Sequence, residues 1–333
     1  MKRAYHTEFT KMFDIDLPII GAPMFLVSNV AMVKAITEAG GIGTFPALNF
    51  RPLEVYDSTL AEIQRTTNGP FGVNIIVNKS NTRQTDDLRL ALDHGASFFI
   101  TSLGNPKHVI ADAHKSGAKV FCDVTNVEHA KKVQDLGADG VIAVASGAGG
   151  HAGPISPFVL IPWLKRELEI PIVAAGGVAN GATLAACLAL GASAASIGTR
   201  FIASTEAGVD QAYKQAVVDS SPEDIVMTTR VSGTPAAVIN TDFVKKMGTD
   251  LPYVIKVLKS NPLTKKYVVP LIHLAGMRAL QNAAEKPTWK TVWSAGQSVG
   301  LVHEISSCEK IVNDIADELF ATMKTMRQAE EHS

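Results

Sequence analysis

Residues 170–200 read IPIVAAGGVANGATLAACLALGASAASIGTR, and the way this stretch divides decides the fold. From Ile170 to Thr199 it carries no charge, so length alone would let it cross a bilayer. Gly176-Gly177, Asn180-Gly181 and Gly191 cut it into an apolar run, an Ala/Leu-rich stretch and a second run of small residues. That division reads as strand, helix and strand buried inside a domain, and no membrane span is expected.

Working outward, the same unit recurs: a short apolar run ending in Gly, Pro, Asn or Ser, then a longer segment of helical period. Eight such runs are predicted strands: Pro18 to Pro23, Gly41 to Pro46, Phe71 to Val77, Ser97 to Ser102, Lys119 to Val124, Gly140 to Ala145, Pro171 to Ala175 and Ala194 to Gly198. Helices are predicted at Asn29 to Ala39, Thr85 to His94, Pro106 to Ser116, Val127 to Leu136 and Ala182 to Leu190, most followed by a glycine suited to end them. Such alternation means parallel strands, and runs without polar alternation are strands buried on both faces. An open doubly wound sheet would alternate likewise. The count of eight, and the gathering of polar and glycine-rich residues just after strands, favour a TIM (β/α)8 barrel, which collects those loops around its C-terminal face.

After Phe201 the rhythm changes to helical segments punctuated by Pro222, Pro235, Pro252, Pro262 and Pro270, with no further alternating strands evident. The expected organisation is a barrel formed by residues 1–204 and 288–333, with residues 205–287 as a smaller helical substrate-binding lid inserted after strand eight. Ser306 to Glu330 carries Ile311, Ile315, Leu319 and Met323 at helical spacing and predicts an amphipathic helix returning to the barrel wall.

The 333 residues suffice for one barrel with an insertion. Hydrophobic residues at 46%, charged residues at 19% and a net charge of -1 describe an ordinary globular protein and give no footprint for nucleic acid. Cys122, Cys187 and Cys308 are widely spaced and odd in number, which argues against a disulfide framework or a Cys-x-x-Cys site and for a cytoplasmic setting. The first residues carry Lys2, Arg3, Glu8, Lys11 and Asp14 and lack the apolar core of a secretory signal.

The strongest chemical signal is the pair of turns after the last two strands, Ala175-Gly176-Gly177-Val178 and Ser196-Ile197-Gly198-Thr199-Arg200. Glycine leaves backbone N–H groups uncovered, and barrels often hold a phosphate between these loops. The plainer reading is that the glycines only permit tight turns. After the sixth strand comes Ser146-Gly147-Ala148-Gly149-Gly150-His151-Ala152-Gly153-Pro154. It matches a loose dinucleotide pattern, but Gly153, Pro154 and Pro157 follow where such a pattern must open a helix. What remains is a flexible loop presenting one imidazole, able to take or give a proton near neutral pH. The other histidines, His94, His114 and His129 among them, show no spacing for a metal. Gly21-Ala22-Pro23-Met24 and Gly72-Val73-Asn74 end two further strands; the Asn amide there can both donate and accept. Cys122 reads as a small buried apolar side chain.

Taken together, Ala22-Pro23-Met24, Pro70-Phe71-Gly72-Val73-Asn74, Gly137-Ala138-Asp139, Gly149-Gly150-His151, Ala175-Gly176-Gly177 and Gly198-Thr199-Arg200-Phe201 resemble the signatures of the nitronate monooxygenase family. That family was once called the 2-nitropropane dioxygenases and includes FMN-dependent enoyl-acyl-carrier-protein reductases. Ser232-Gly233-Thr234-Pro235 and Ala295-Gly296-Gln297-Ser298-Val299-Gly300-Leu301 look like its later signatures. The resemblance implies an FMN whose phosphate lies on Gly176, Gly177, Gly198 and Thr199, with Ala22, Pro23, Met24 and Asn74 around the ring. It also implies Ser146, Gly149, Gly150 and Ala175 as neighbours, Gln297 and Ser298 returning towards the flavin, and His151 on its reactive side. Two departures stand out. Many relatives have a Gln and a Glu before the histidine, where this chain reads Val144-Ala145-Ser146-Gly147-Ala148, and some have a lysine where Asp123 aligns.

The activity this implies is oxidation of an alkyl nitronate, such as propionate 3-nitronate, by O2, with a homodimer allowed as the assembly. An NAD(P)H-dependent reductase acting on enoyl thioesters or quinones is the alternative. A non-catalytic phosphate-ligand sensor and a flavin-free sugar-phosphate barrel stand further off.

Overall fold

In the computed structural model, which describes residues 4–78, 81–230, 234–250 and 292–331, the uncharged stretch that opened the sequence becomes a strand, the helix Gly181–Ala189 and a strand. These strands belong to a closed, all-parallel barrel of β1 (Ile19–Gly21), β2 (Ile42–Pro46), β3 (Phe71–Ile76), β4 (Phe98–Ser102), β5 (Lys119–Val124), β6 (Gly140–Val144), β8 (Ile172–Ala175) and β9 (Ala194–Ile197). The chain-order gap is β7 (Gly150–His151), which lies outside the barrel. Closure is made where β1 pairs with β9, Ile19 facing Ala195 and Gly21 facing Ile197. Each predicted strand is found within a residue or two, as is each predicted helix. The fold is the expected TIM barrel, and among the described residues no helix is long and apolar enough to cross a membrane.

Alternation along each strand sorts the core into two layers. Ile20, Ile42, Phe98, Ile100, Phe121, Ile142, Val173 and Ala194 point inward and fill the barrel. Residues between them, such as Val73, Phe99, Val120 and Val141, point outward against the helices. Phe9 and Phe13 join the inner set from a short helix, Glu8–Phe13, that plugs the N-terminal end of the barrel. The Phe9 ring stands edge-on to Phe98 and Phe121 at 5.7 and 5.6 Å. Thr7 caps this helix by accepting from the Thr10 N–H at 3.1 Å. Only the other end of the barrel is left for a site.

The C-terminal helix Cys308–Glu331 packs on the helices Gly181–Ala189 and Val30–Glu38, burying Ile311, Ile315 and Leu319 as expected. Its Glu318 carboxylate accepts from the Gly181 N–H at 2.9 Å.

The segment after Phe201 departs from the expectation of helices alone. It holds the helix Gln211–Asp219 and two strands, β10 (Ile225–Thr228) and β11 (Ala236–Ile239), which with β7 form a three-stranded antiparallel sheet. Runs of four residues are too short to show period-two alternation, and a hairpin of that size is marginal by itself. Here pairing with Gly150–His151 completes it. The remainder of the expected lid, residues 251–287 with Pro252, Pro262 and Pro270, lies outside the described residues, as do Ser232 and Gly233.

Candidate active site

Four segments distant in sequence meet at the C-terminal ends of the barrel strands: residues 147–150 after β6, 175–177 after β8, 198–199 after β9, and 295–298 on the return from the second sheet. Gln297 N–H donates to the Gly147 carbonyl at 3.1 Å, and Gly296 N–H donates to the Thr199 hydroxyl at 3.0 Å. The approach is so close that a methyl group on Gly149 would lie 2.9 Å from the Gly296 nitrogen. One on Gly296 would collide with the Gly147 carbonyl oxygen. Neither position accepts a side chain, which is why glycine stands at 149 and 296.

The turn after β8 has φ of +109° at Gly176 and +78° at Gly177, the left-handed region that glycine adopts without strain. The two glycines differ in what surrounds them. A Cβ on Gly176 would sit 2.8 Å from the Ala148 nitrogen, whereas one on Gly177 would meet nothing within 4 Å. No backbone acceptor among the described residues takes the Gly177 N–H. The turn thus combines an N–H that the described backbone leaves without an acceptor with open space on its side-chain side. Ala175, half-buried, ends β8, and its carbonyl accepts from the Ala145 N–H at 2.9 Å.

Ala22, Pro23 and Met24 begin the loop after β1. A methyl on Gly198 would lie 3.6 Å from both Ala22 Cβ and Met24 Sδ, so this loop borders the turn after β9. The Ser28 hydroxyl accepts from the Met24 N–H at 3.0 Å and donates to the Ala22 carbonyl at 3.2 Å. Asn49 braces the loop from outside, donating to the Met24 and Ser28 carbonyls at 3.1 and 2.8 Å and accepting from the Leu26 N–H at 3.0 Å. Sequence reasoning missed Asn49. The available signal was a polar side chain just after the apolar run of β2.

Asn74, buried on β3, does not present a free amide. Its Nδ2 donates to the Ile100 carbonyl at 3.1 Å and the Ser102 hydroxyl at 2.8 Å, so both donors are committed and only Oδ1 remains as acceptor. The expectation that it both donates and accepts at the mouth is corrected accordingly. The Ser102 hydroxyl passes the chain on, donating to Asp123 Oδ2 at 2.5 Å. Asp123 lies two residues after Phe121 on β5 and shares its inward direction, one layer nearer the mouth. Its side chain is open to solvent yet closely surrounded by protein, a combination found on the floor of a concavity. Burial pushes its carboxyl up to about 6, against the opposing hydrogen bond from Ser102.

His151 is exposed on β7, and its loop is more ordered than a flexible glycine-rich loop. Gly150 and His151 face Ala237 and Ala236 of β11 in antiparallel register. The loop closes at its base where the Ser146 N–H donates to the Ile155 carbonyl at 2.7 Å. No helix opens at this motif, which removes the dinucleotide reading. Gln297 is exposed and Ser298 buried on the single turn Gln297–Leu301. Thr199 is buried, and Arg200 turns away to donate to the Ala203 and Glu304 carbonyls at 3.4 and 3.0 Å.

The three cysteines are buried and free. Burial pushes the Cys122 and Cys308 thiols to about 12 and the Cys187 thiol to about 11, so none is an available thiolate near neutral pH. Among the described residues no group of His, Cys, Asp and Glu is placed to hold a metal.

The sequence pattern of the nitronate monooxygenase family matches residues 6–318. A nitronate monooxygenase of Paraburkholderia phytofirmans is 28% identical, the match covering 95% of this chain and 96% of that one. A (3aS,4S,5R,7aS)-5-hydroxy-7a-methyl-1-oxo-octahydro-1H-indene-4-carboxyl-CoA dehydrogenase of Rhodococcus jostii is 28% identical, covering 93% of this chain and 94% of that one. FabK from Thermotoga maritima superposes with a TM-score of 0.83 at 31% identity, covering 98% of this chain and all of that one. A match over almost the whole chain, on a barrel whose glycine-lined segments converge at one mouth, establishes that this protein belongs to the nitronate monooxygenase family of flavin-dependent oxidoreductases.

Proposed function

We propose that the flavin is FMN and that the reaction is oxidation of an alkyl nitronate by O2 to a carbonyl compound and nitrite. The observation that carries the reading is the Gly177 N–H, taken by no backbone acceptor among the described residues, in a turn whose side-chain direction is open space, near the segment containing Gln297. Backbone donors of this kind suit a phosphate. Asn74 leaves one acceptor, Oδ1, which matches the single imide N–H of an isoalloxazine. Gly176, Gly198 and Thr199 complete the phosphate turn, Ala22, Pro23 and Met24 border the ring, and Ser146, Gly149, Gly150, Ala175, Gln297 and Ser298 line the remaining wall. Bound there, FMN supplies the electron transfer from an electron-rich anion and on to O2.

His151 supplies the protein's acid–base chemistry. Protonated, it stabilises the nitronate; neutral, it takes the α-proton of a nitroalkane. Its strand pairing holds the backbone from which the imidazole extends.

The test is to identify the chromophore of the purified protein and measure nitrite release from propionate 3-nitronate and from simple alkyl nitronates. Anaerobic bleaching of the flavin by a nitronate alone supports the oxidase reading. Rapid bleaching by NADH, with no response to nitronates, replaces it with an NAD(P)H-dependent reductase.

A further inference from the structure

Asp123, on the inward face of β5 toward the mouth, has no part in the proposed oxidation. Asp123 ends a directional chain in which Asn74 donates to Ser102 and Ser102 donates to Asp123 Oδ2. A carboxylate on an inward-facing strand position is costly unless it is paired. Among the described residues the flanking strands offer it no cation. β4 presents Ile100 and Ser102, β3 presents Asn74, and β6 presents Ile142 and Val144. On its own strand the Cys122 thiol takes a hydrogen bond from Thr101 at 3.1 Å and stays neutral. Lys119 pairs with Asp139 at the other end of β5. The titratable group on the following loop is His151. Ser102 satisfies one carboxylate oxygen, and the side chain remains open to the mouth.

We propose that Asp123 is a specificity residue: it accepts a hydrogen bond from a hydroxyl or ammonium group on the substrate's tail, and it turns away substrates whose tail carries a carboxylate. The proposal rests on the flavin-site reading and names the substrate class for it, a nitronate with a neutral or cationic polar tail in preference to a carboxylated one such as propionate 3-nitronate. The discrimination has a simple source. Two like charges about 6 Å apart in an environment of effective dielectric ~20 repel enough to weaken binding on the order of a hundredfold. Ionised Asp123 imposes that penalty on a carboxylate and none on an alcohol. Once the carboxyl takes up a proton, below about pH 6, the penalty falls away.

The experiment compares matched ligands on the flavin-loaded protein at pH 8 and pH 5. Dissociation constants for butyrate and 1-butanol are read from flavin difference spectra, and kcat/KM is measured for nitronates of equal length ending in carboxylate or hydroxyl. At pH 8 the hydroxyl form is favoured on the order of a hundredfold, and at pH 5 the preference contracts. Asp123→Asn keeps the shape and the acceptor for Ser102, and it abolishes the preference at pH 8. His151 is common to both proteins, so its own titration cancels from the comparison. Ser102→Ala removes the hydrogen bond that holds the carboxyl down, so the pH at which the preference appears moves upward even if the Asn variant does not fold. Equal binding of butyrate and butanol by the unmodified protein at pH 8 overturns the proposal, as does an unchanged preference in Asp123→Asn or an unmoved pH profile in Ser102→Ala. A preference in the binding titration without turnover of any nitronate leaves Asp123 in its role and removes nitronate oxidation instead.

Discussion

The Thr199 hydroxyl accepts a hydrogen bond from the Gly296 N–H at 3.0 Å, tying the turn after the last barrel strand to a segment 97 residues further along. Through this bond and that between Gln297 and Gly147, the wall of the site is assembled from parts that do not adjoin in the chain. Both partners of the first bond are buried, so losing the acceptor strands a donor.

Thr199→Val is therefore expected to cost about 1–3 kcal/mol of stability and to lower flavin affinity, while Thr199→Ser retains most of both. Thermal denaturation and the flavin-to-protein ratio after dialysis measure the two effects. Equal behaviour of the Val and Ser variants would show that the bond contributes nothing.

Gly177 and Gly176 separate a ligand contact from a packing constraint. Gly177→Leu is expected to leave the barrel folded, apart from about 1 kcal/mol of left-handed backbone strain, and to abolish flavin retention, because its side chain enters the open space on that side of the turn. Gly176→Ala clashes with the Ala148 backbone and should lower the melting temperature directly. A Gly177→Leu protein that purifies with full flavin removes the phosphate assignment. Gly198→Leu should resemble Gly177→Leu, since a Cβ there meets Ala22 and Met24 at 3.6 Å, an ordinary contact distance, and the longer side chain enters the same mouth.

His151→Ala is expected to keep its flavin, because the backbone pairing with Ala236 does not depend on the imidazole. Turnover of a neutral nitroalkane should fall about a hundredfold or more, the usual loss for a general base. Turnover of the preformed nitronate should fall much less, its proton being already gone. Equal losses would make His151 a charge-stabilising group, and no loss for either substrate would remove the loop from the catalytic wall.

Phe9→Ala is expected to destabilise the barrel by about 3–5 kcal/mol, the typical cost of emptying an aromatic site. Phe9 is fully buried against Phe98 and Phe121, at the end of the barrel away from the site. Urea denaturation reads the loss, and flavin binding by the remaining folded fraction should be unchanged.

How much of this was legible in the sequence follows from the range of the forces involved. Strands buried on both faces must be apolar throughout, and helices must end where glycine permits, so the uncharged run from Ile170 to Thr199 already contained two strands and a helix. Repetition of that unit determined the barrel and placed Gly176, Gly177, Gly198 and His151 at its C-terminal mouth. The N-terminal plug was concealed because a six-residue helix with two phenylalanines shows its purpose only against Phe98 and Phe121. The strands β10 and β11 were concealed because four residues carry too little periodicity until Gly150 and His151 pair with them. Tertiary structure alone decided that Asn74 spends its donors on Ile100 and Ser102, that Ser102 turns to Asp123, and that Gly149 and Gly296 lie too close for any side chain. Those contacts join residues held together by barrel closure, and hydrogen bonds of a few ångströms between separate strands leave no trace in local composition.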